Sequence, residues 1–496
     1  MIKDLSHMLL NVGGGTPPSC GCPTNHSPTA EPPTPHIGVV DNEEAEADSR
    51  GFYWNLFAFP VTLESGRYVF LSDSRSVVAV DDETFRDIQG TGGAAIPKNV
   101  SDGQALRMLK AGLVSREPAS RQFANVFKQK VAAPRENALL HLITSYTCNL
   151  TCAYCFMLAD LDEHKERFLS FQDAKRGIDA YFKMPYQKDS VIHFYGGEPL
   201  LHPQLIDDCL TYIYQTYTAH ALPKIITNGT LHSPHVLKLL RKYPFDLSVS
   251  MDGDRQAHDV FRLDHQRRST FDKTVEGIHA FRDIGYDPKI LITVGTHNIG
   301  RLPEVVSAVL DLQPHAIALN FPRELPQSDT RLDDETADSV FWVQQYERCL
   351  DLCYERHVPE LYFADMLFAY FSGEPVLSPC AACGSQVSVG PGGQVGPYQA
   401  FVAAGMFSQP IEEFDRKKPT GPFLPWADVS KASSRQCSRC AIAPICGGDC
   451  SFDRYNRTKS LHEPLEFHCD LRFLMATQLV SRLVSGKPLG FASPAA

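Results

Sequence analysis

Between residues 139 and 322 the chain alternates between two kinds of segment with a regularity that leaves few folds open. Short apolar runs occur at 139–144 (LLHLIT), 190–195 (SVIHFY), 224–227 (KIIT), 246–250 (DLSVS), 289–294 (KILITV) and 315–321 (HAIALNF). Amphipathic segments of helical length, such as SFQDAKRGIDAYFKM, HPQLIDDCLTYIYQTY and TFDKTVEGIHAFRDIG, lie between most of them. Strand-like runs apolar on both faces, alternating with such helices, predict a parallel sheet covered by helices. Six units predict an α/β fold, a partial (β/α)6 TIM-like barrel, in which function sits at the C-terminal strand ends.

The flanking regions have a different texture. At 496 residues the chain is too long for one core, and length alone suggests about three domains. Residues 1–48 are rich in proline, small polar residues and acid (PPSCGCPTNHSPTAEPPTPH, then DNEEAEAD), a composition that predicts a disordered tail. Cys20 and Cys22 lie in it, and read most simply as unliganded thiols on a flexible arm. From Phe52, short alternating apolar runs broken by ESGR and SDSR predict hairpins, and Val100-Ser101-Asp102 predicts a helix start. Residues 49–116 are thus expected to form a small α+β, winged-helix-like module, followed by a linker at 117–135, the barrel at 136–372, a cysteine-rich domain at 373–475 and a C-terminal tail at 476–496. No stretch approaches the roughly 20 apolar residues of a membrane-spanning helix, and the N-terminus is too weakly apolar for a secretory signal. Both absences point to the cytoplasm. A net charge of −11 argues against a nucleic-acid partner.

Fifteen cysteines are too many for a reducing compartment to keep as idle thiols, and their clustering argues for metal rather than disulfides. Cys148, Cys152 and Cys155 occupy one loop, TSYTCNLTCAYCF, directly after the first strand. A disulfide uses an even number of cysteines, and a closed tetrahedral zinc site wants a fourth ligand nearby. Three thiolates suit a [4Fe–4S] cluster with one iron left open to a small chelating molecule. The C-x3-C-x-aromatic-C pattern, with Tyr154 before the third cysteine, resembles the signature of the radical S-adenosylmethionine (SAM) superfamily. The resemblance implies that these three cysteines hold the cluster and that SAM chelates its fourth iron.

Further motifs fall at the other strand ends. HFYGGEPLL ends the second strand, and the resemblance puts Gly196, Gly197 and Glu198 on the SAM amine. TNGT follows the third, and the resemblance implies Asn228 in the same SAM cavity, with Tyr154 also beside SAM. SVSMDG ends the fourth, implying Ser250 and Asp252 near the SAM ribose and carboxylate, and AHDVFR resembles a family H-D-x-x-R that would set Arg262 on the carboxylate. The plain alternative for each is a strand-end turn.

Downstream, Cys437-x2-Cys440-x5-Cys446-x3-Cys450, then Cys469, resembles the SPASM extension of peptide-modifying radical SAM enzymes. Zinc is the rival reading of such CxxC pairs. The resemblance implies one auxiliary cluster on Cys437, Cys440, Cys446 and Cys469, with Cys450 joining Cys380 and Cys383 on another. The upstream half departs from the family pattern: Gly393 fits, but Tyr398 stands where the last cysteine belongs. That site is open for a substrate group, uses a non-cysteine ligand, or is degenerate. The next residue, Gln399, stands where anaerobic sulfatase maturases carry a proposed aspartate base, and an amide makes no useful base. Cys209, Cys349 and Cys353 read as buried structural thiols.

The resemblance therefore implies a radical SAM/SPASM maturase, in which SAM cleavage yields a 5′-deoxyadenosyl radical that abstracts hydrogen from a peptide, leading to a thioether, C–C or C–X cross-link. Its cofactors would be the SAM-binding [4Fe–4S] cluster and one or two auxiliary [4Fe–4S] clusters. Its partners would be a precursor peptide, captured at the N-terminal module by strand addition, and a reductant such as flavodoxin or ferredoxin. Two alternatives stand beside it, namely protein side-chain oxidation of the sulfatase-maturase type and an iron–sulfur electron carrier or sensor.

Overall fold

The computed structural model describes residues 3–4, 51–89, 93–97, 99–132, 137–157, 167–183, 186–217, 222–320, 339–361, 366, 370, 375–376, 386–414, 434, 436–446 and 448–487. Cys20, Cys22, Cys380 and Cys383 lie outside these residues, as does nearly all of the 1–48 tail. Lys3–Asp4 is a described part of that tail, and it pairs antiparallel with Ser76–Val80.

All six predicted strands form. Asn137–Ser145, Tyr186–Gly196, Leu222–Thr227, Asp246–Ser250, Lys289–Thr293 and Ile317–Asn320 pair with their sequence neighbours, every pair parallel. Helices Phe171–Phe182, Pro203–Thr216, Pro234–Lys242, Phe271–Arg282 and Leu302–Leu310 fill the connections. Ser170 and Ser233 cap two of them by accepting the backbone N–H three residues on. The helix-facing residues of the strands, among them Leu140, Leu142, Ile192, Phe194, Ile225, Leu247, Val249, Ile290 and Ile292, join one core cluster with Ile178, Leu210, Leu240 and Phe281.

The sheet does not stop at the barrel. Gln386–Gly390 pairs parallel with the far edge of Asn137–Ser145, and Gln394–Gly396 and Gln409–Pro410 extend it antiparallel. The expected boundary at 372/373 therefore separates segments that share a sheet. The inner face of the barrel also departs from expectation, because it carries His141, His193, Lys224, Asp246, Ser248 and Lys289 in place of a second apolar surface.

Two segments expected to be irregular are helical. Residues expected as a linker form the helix Ala119–Ala132, whose Phe123 and Phe127 pack with Leu56, Phe57 and Ala443. A boundary drawn after 475 falls inside the helix Glu466–Ser485, where Leu479 and Val480 are fully buried; Gly486, at φ 66°, ends it.

The N-terminal α+β module has a three-stranded antiparallel meander, Ala58–Leu63, Gly66–Leu71 and Ser76–Val80, with turns at the predicted ESGR and SDSR positions. Helices Asp82–Ile88 and Asp102–Lys110 follow, the second opened by a Ser101–Gln104 capping box. The module is not free-standing. Ser72 Oγ donates to the Ala441 carbonyl, and the Phe59 and Phe473 rings lie 5.4 Å apart.

Candidate functional site

Strand ends one to four converge on the Cys148–Cys155 loop. Glycine is obligatory at two positions there: a Cβ on Gly196 would lie 2.3 Å from the Ser145 carbonyl oxygen, and one on Gly197 would lie 2.0 Å from that of Thr147. This closeness lets Gly197 N–H donate to Ser145 O (2.8 Å) and Glu198 N–H to Thr147 O (3.0 Å), which seats the cysteine loop on the second strand. On the opposite side Thr151 N–H donates to Leu263 O (2.8 Å), and a His265 ring nitrogen lies 2.9 Å from Cys148 O.

Glu198 is buried, and its carboxylate accepts from Leu200 N–H (3.0 Å), Thr227 Oγ1 (2.9 Å) and Asn228 N–H (2.7 Å). Burial nonetheless pushes its pKa up to about 7. Much of its acceptor capacity is thus spent holding strand ends two and three together, a structural duty the motif alone did not reveal. Asn228 continues the connection, donating to Asn149 Oδ1 (2.9 Å) and to the Cys148 sulfur (3.8 Å).

Tyr154, Asp252 and Arg262 form a second buried group. Tyr154 Oη donates to Asp252 Oδ2 (2.6 Å), Thr293 N–H donates to Oδ1 (3.0 Å), and Arg262 Nε lies 3.1 Å from Oδ2. His297 Nε2 lies 3.6 Å from the same oxygen. Burial alone would raise the Asp252 pKa, but Arg262, His297 and Tyr154 outweigh it and hold it well below the usual carboxylate range. Burial pushes the Tyr154 hydroxyl far up. Arg262 itself is fixed through His258, whose ring nitrogen meets Thr270 Oγ1 (3.1 Å), while Thr270 Oγ1 donates to the Arg262 carbonyl (2.6 Å). Asp252, expected with Ser250 near the ribose and carboxylate of SAM, and Arg262, expected on that carboxylate, thus face each other. Ser250, half-buried, ends the same strand two residues earlier. His297 was not singled out in the sequence, although GTHNIG follows the fifth strand where the strand-end rule would have found it.

The three thiols of the loop are partly buried. Burial pushes the Cys152 pKa up to about 12, with Cys155 and Asp252 adding to it and Arg262 opposing. Cys148 is raised further, first by burial and then by Glu198, Cys155 and Cys152. Thiols that feel one another in a pocket this dry are a donor set that suits a bound cationic cluster.

The downstream cysteines fall in two places. Cys437, Cys440, Cys446 and Cys469 line one cavity of about 350 Å³, and Cys450 is not among its lining residues. Burial, Asp449 and the other three thiols push the Cys469 pKa up to about 12. Among the described residues no three Cys, His, Asp or Glu side chains gather as around a single metal ion. Thiols spread around a cavity of this size fit a cluster, which takes one thiolate per iron. Cys450 instead packs with Tyr398, Phe401, Phe452 and Phe156, so Tyr398 fills an aromatic cluster beside the residue after Cys155. Gln399 is buried and accepts from Gln386 Nε2 (2.9 Å). Cys209, Cys349 and Cys353 are buried in the main core.

The chain is similar to known proteins. Over 325 residues the chain is 25% identical to a cysteine-type anaerobic sulfatase-maturating enzyme of Clostridium novyi, covering 62% of this chain and 85% of that protein. It is 23% identical over 313 residues to the antilisterial bacteriocin subtilosin biosynthesis protein AlbA of Bacillus subtilis, covering 61% and 65% respectively. Among solved structures, AdoMet-bound anSMEcpe superposes with a TM-score of 0.59 at 20% identity over 71% of this chain and 95% of that one. Streptococcus suis SuiB bound to its precursor peptide SuiA superposes with a TM-score of 0.51 at 14% identity, over 84% and 99%. At these identities the structural likeness is one of fold. No described helix is long and apolar enough to cross a membrane. The sequence profile of the Radical SAM superfamily matches residues 142–308, and the chain carries a radical SAM domain of the kind found in maturating enzymes.

Proposed function

We propose that the protein is a peptide-modifying radical SAM enzyme that installs a cross-link in a ribosomally made precursor. The observation that carries this reading is the pairing of an odd-cysteine loop at the barrel mouth with a separate four-cysteine cavity downstream. Cys148, Cys152 and Cys155 would hold the first cluster, and Gly196, Gly197, Glu198, Ser250, Asp252 and Arg262 border the place for SAM. Bound there, the cluster and SAM supply a 5′-deoxyadenosyl radical able to take hydrogen from a substrate carbon. The chain's own part is to orient and to exclude water: Asn228 and the GGE turn fix the cysteine loop, and the Tyr154–Asp252–Arg262–His297 group closes the opposite wall. Cys437, Cys440, Cys446 and Cys469 would hold an auxiliary cluster that accepts an electron or binds the substrate.

Precursor capture is assigned to the N-terminal module. Its Ala58–Leu63 edge packs near the helix Glu466–Ser485, through Phe59 and Phe473, and its Ser76–Val80 strand already accepts Lys3–Asp4 as an antiparallel neighbour, the kind of short strand addition by which a peptide would be held. Cross-linking is favoured over side-chain oxidation because Gln399 is buried, neutral and committed to Gln386. The sulfatase-maturating relative keeps the second reading in view.

The test is anaerobic reduction of the reconstituted protein with SAM, followed by chromatography for 5′-deoxyadenosine. Wild type should form it and Cys148→Ala should not. A cluster spectrum indifferent to SAM, with no 5′-deoxyadenosine, would leave an electron carrier or sensor as the answer. Short open reading frames beside the gene supply candidate peptides for mass spectrometry, where a cross-link lowers the mass by two hydrogens.

A further inference from the structure

Five polar residues lie in one row across five adjacent strands. Sheet register pairs Ser388 with His141, His141 with His193, His193 with Lys224 and Lys224 with Asp246. Residues paired in register share a face, and here it is the inner one, since their neighbours Leu140, Leu142, Ile192, Phe194, Ile225 and Leu247 join the core packed against the helices. Along the inner face Tyr195, Ile226, Ser250, Leu291 and Thr293 are only partly buried. His193 stands three residues before Gly196, so at about 3.3 Å per residue the row lies about 10 Å beneath the GGE turn.

The row is built for a ligand in two respects. First, His141 and His193 are nearly fully buried (4% and 6% exposed), and His141 Nδ1 and His193 Nε2 have no hydrogen-bond partner among the described residues. Their rings stand edge to face, 4.6 Å between centroids. Buried polar atoms left unpaired are costly unless something completes them. Second, the row carries excess positive charge. Lys289 Nζ lies 2.8 Å and Lys224 Nζ 3.9 Å from the two oxygens of Asp246, so two ammonium groups share one carboxylate. Burial first, and the Lys224 charge after it, lower the pKa of both imidazoles and keep them neutral. A metal ion is ill-suited to a histidine pair that already feels a fixed ammonium.

We infer that His141, His193 and Lys224 form a carboxylate site inside the barrel, taking an aspartate or glutamate side chain of the peptide substrate beneath the radical-forming centre. The inference rests on the peptide-modifying reading and deepens it. The carboxylate would complete the unpaired imidazole nitrogens as donors and neutralise the surplus ammonium, an arrangement of charge-assisted hydrogen bonds. A glutamine or asparagine matches the shape but not the charge.

The experiment uses the full chain, anaerobically reconstituted, and two probes: N-acetyl-glutamate amide and N-acetyl-glutamine amide, titrated calorimetrically at matched ionic strength. The glutamate probe should bind at least tenfold more tightly. Lys224→Gln should abolish that preference, and Lys289→Gln, which leaves Asp246 to Lys224 alone, should do the same if the first variant fails to fold. Asp246→Asn should act in the opposite direction, strengthening glutamate binding several-fold, which a merely structural ion pair would not do. Equal affinity for the two probes, a preference that survives both lysine variants, weaker binding in Asp246→Asn, or Zn2+ binding that displaces the glutamate probe would each overturn the inference. The reaction reading is tested separately, by 5′-deoxyadenosine formation in the wild type. Formation of that product without a probe preference removes only the carboxylate site, and the converse removes only the reaction.

Discussion

Replacing Gly197 by alanine tests the seating of the cysteine loop at its tightest point. The added Cβ would sit 2.0 Å from Thr147 O and 3.0 Å from Cys148 N, where contacts under 3.0 Å essentially never occur. The Thr147 carbonyl must therefore retreat by at least about 1 Å, taking with it the backbone of Cys148, the first proposed cluster ligand. That movement breaks the Glu198 N–H to Thr147 O hydrogen bond, a net loss of about 1 kcal/mol. Overpacking adds about 1–3 kcal/mol, so a total of about 2–4 kcal/mol is expected. The cost falls on the loop rather than on the helix-facing core, so cluster content should suffer more than global folding. Iron and sulfide analysis after anaerobic reconstitution should show about four irons fewer per chain than wild type. Far-ultraviolet circular dichroism should stay near native. Full iron content with an unchanged unfolding midpoint would refute the argument that glycine is required because the Cys148 backbone passes within touching distance.

Other perturbations have defined outcomes. Asp252→Asn leaves Arg262 buried without its counter-charge and should cost about 3–5 kcal/mol in urea unfolding. Because the folded pKa of Asp252 is depressed, its contribution is present above the unfolded value of about 3.9 and lost as pH falls through the lower folded value; the stability gap between wild type and Asp252→Asn should therefore narrow below about pH 4. Cys469→Ala should remove about four irons while sparing the SAM-dependent spectral change of the Cys148 cluster. Phe57→Ala empties a site shared with Phe127, Ala443 and Cys440 and should cost about 3–5 kcal/mol, with iron loss confined to the auxiliary cavity; a change at the Cys148 cluster instead would count against that placement.

The sequence made the barrel legible because its two periods alternate, and offered the Cys148–Cys155 loop as a candidate because the spacing of its cysteines is local. Other features depend on pairing that no short window contains. LLHLIT and DLSVS read as apolar runs, and only register with neighbouring strands shows that His141 and Asp246 belong to one inward row. QVSVG alternates with period two, but it sits among Gly, Pro and Ser and pairs with a strand far upstream. In the helix Ala119–Ala132 the signal was the four-residue spacing of Phe123 and Phe127, obscured by flanking Pro118 and Pro134. His297 obeyed the same strand-end rule as its neighbours but lacked a familiar motif around it.

The strand Gln386–Gly390 has a consequence for how the molecule is made. Its partner edge, on the strand that feeds the cysteine loop, emerges from the ribosome near residue 140 and waits for residues 386–390 to arrive. At about 5–20 residues per second the wait is on the order of tens of seconds. Throughout it, an apolar strand presents unpaired N–H and C=O groups, a ready template for wrong partners. Synthesis should therefore depend on chaperone cover over that interval, and cluster loading should follow chain release rather than accompany translation.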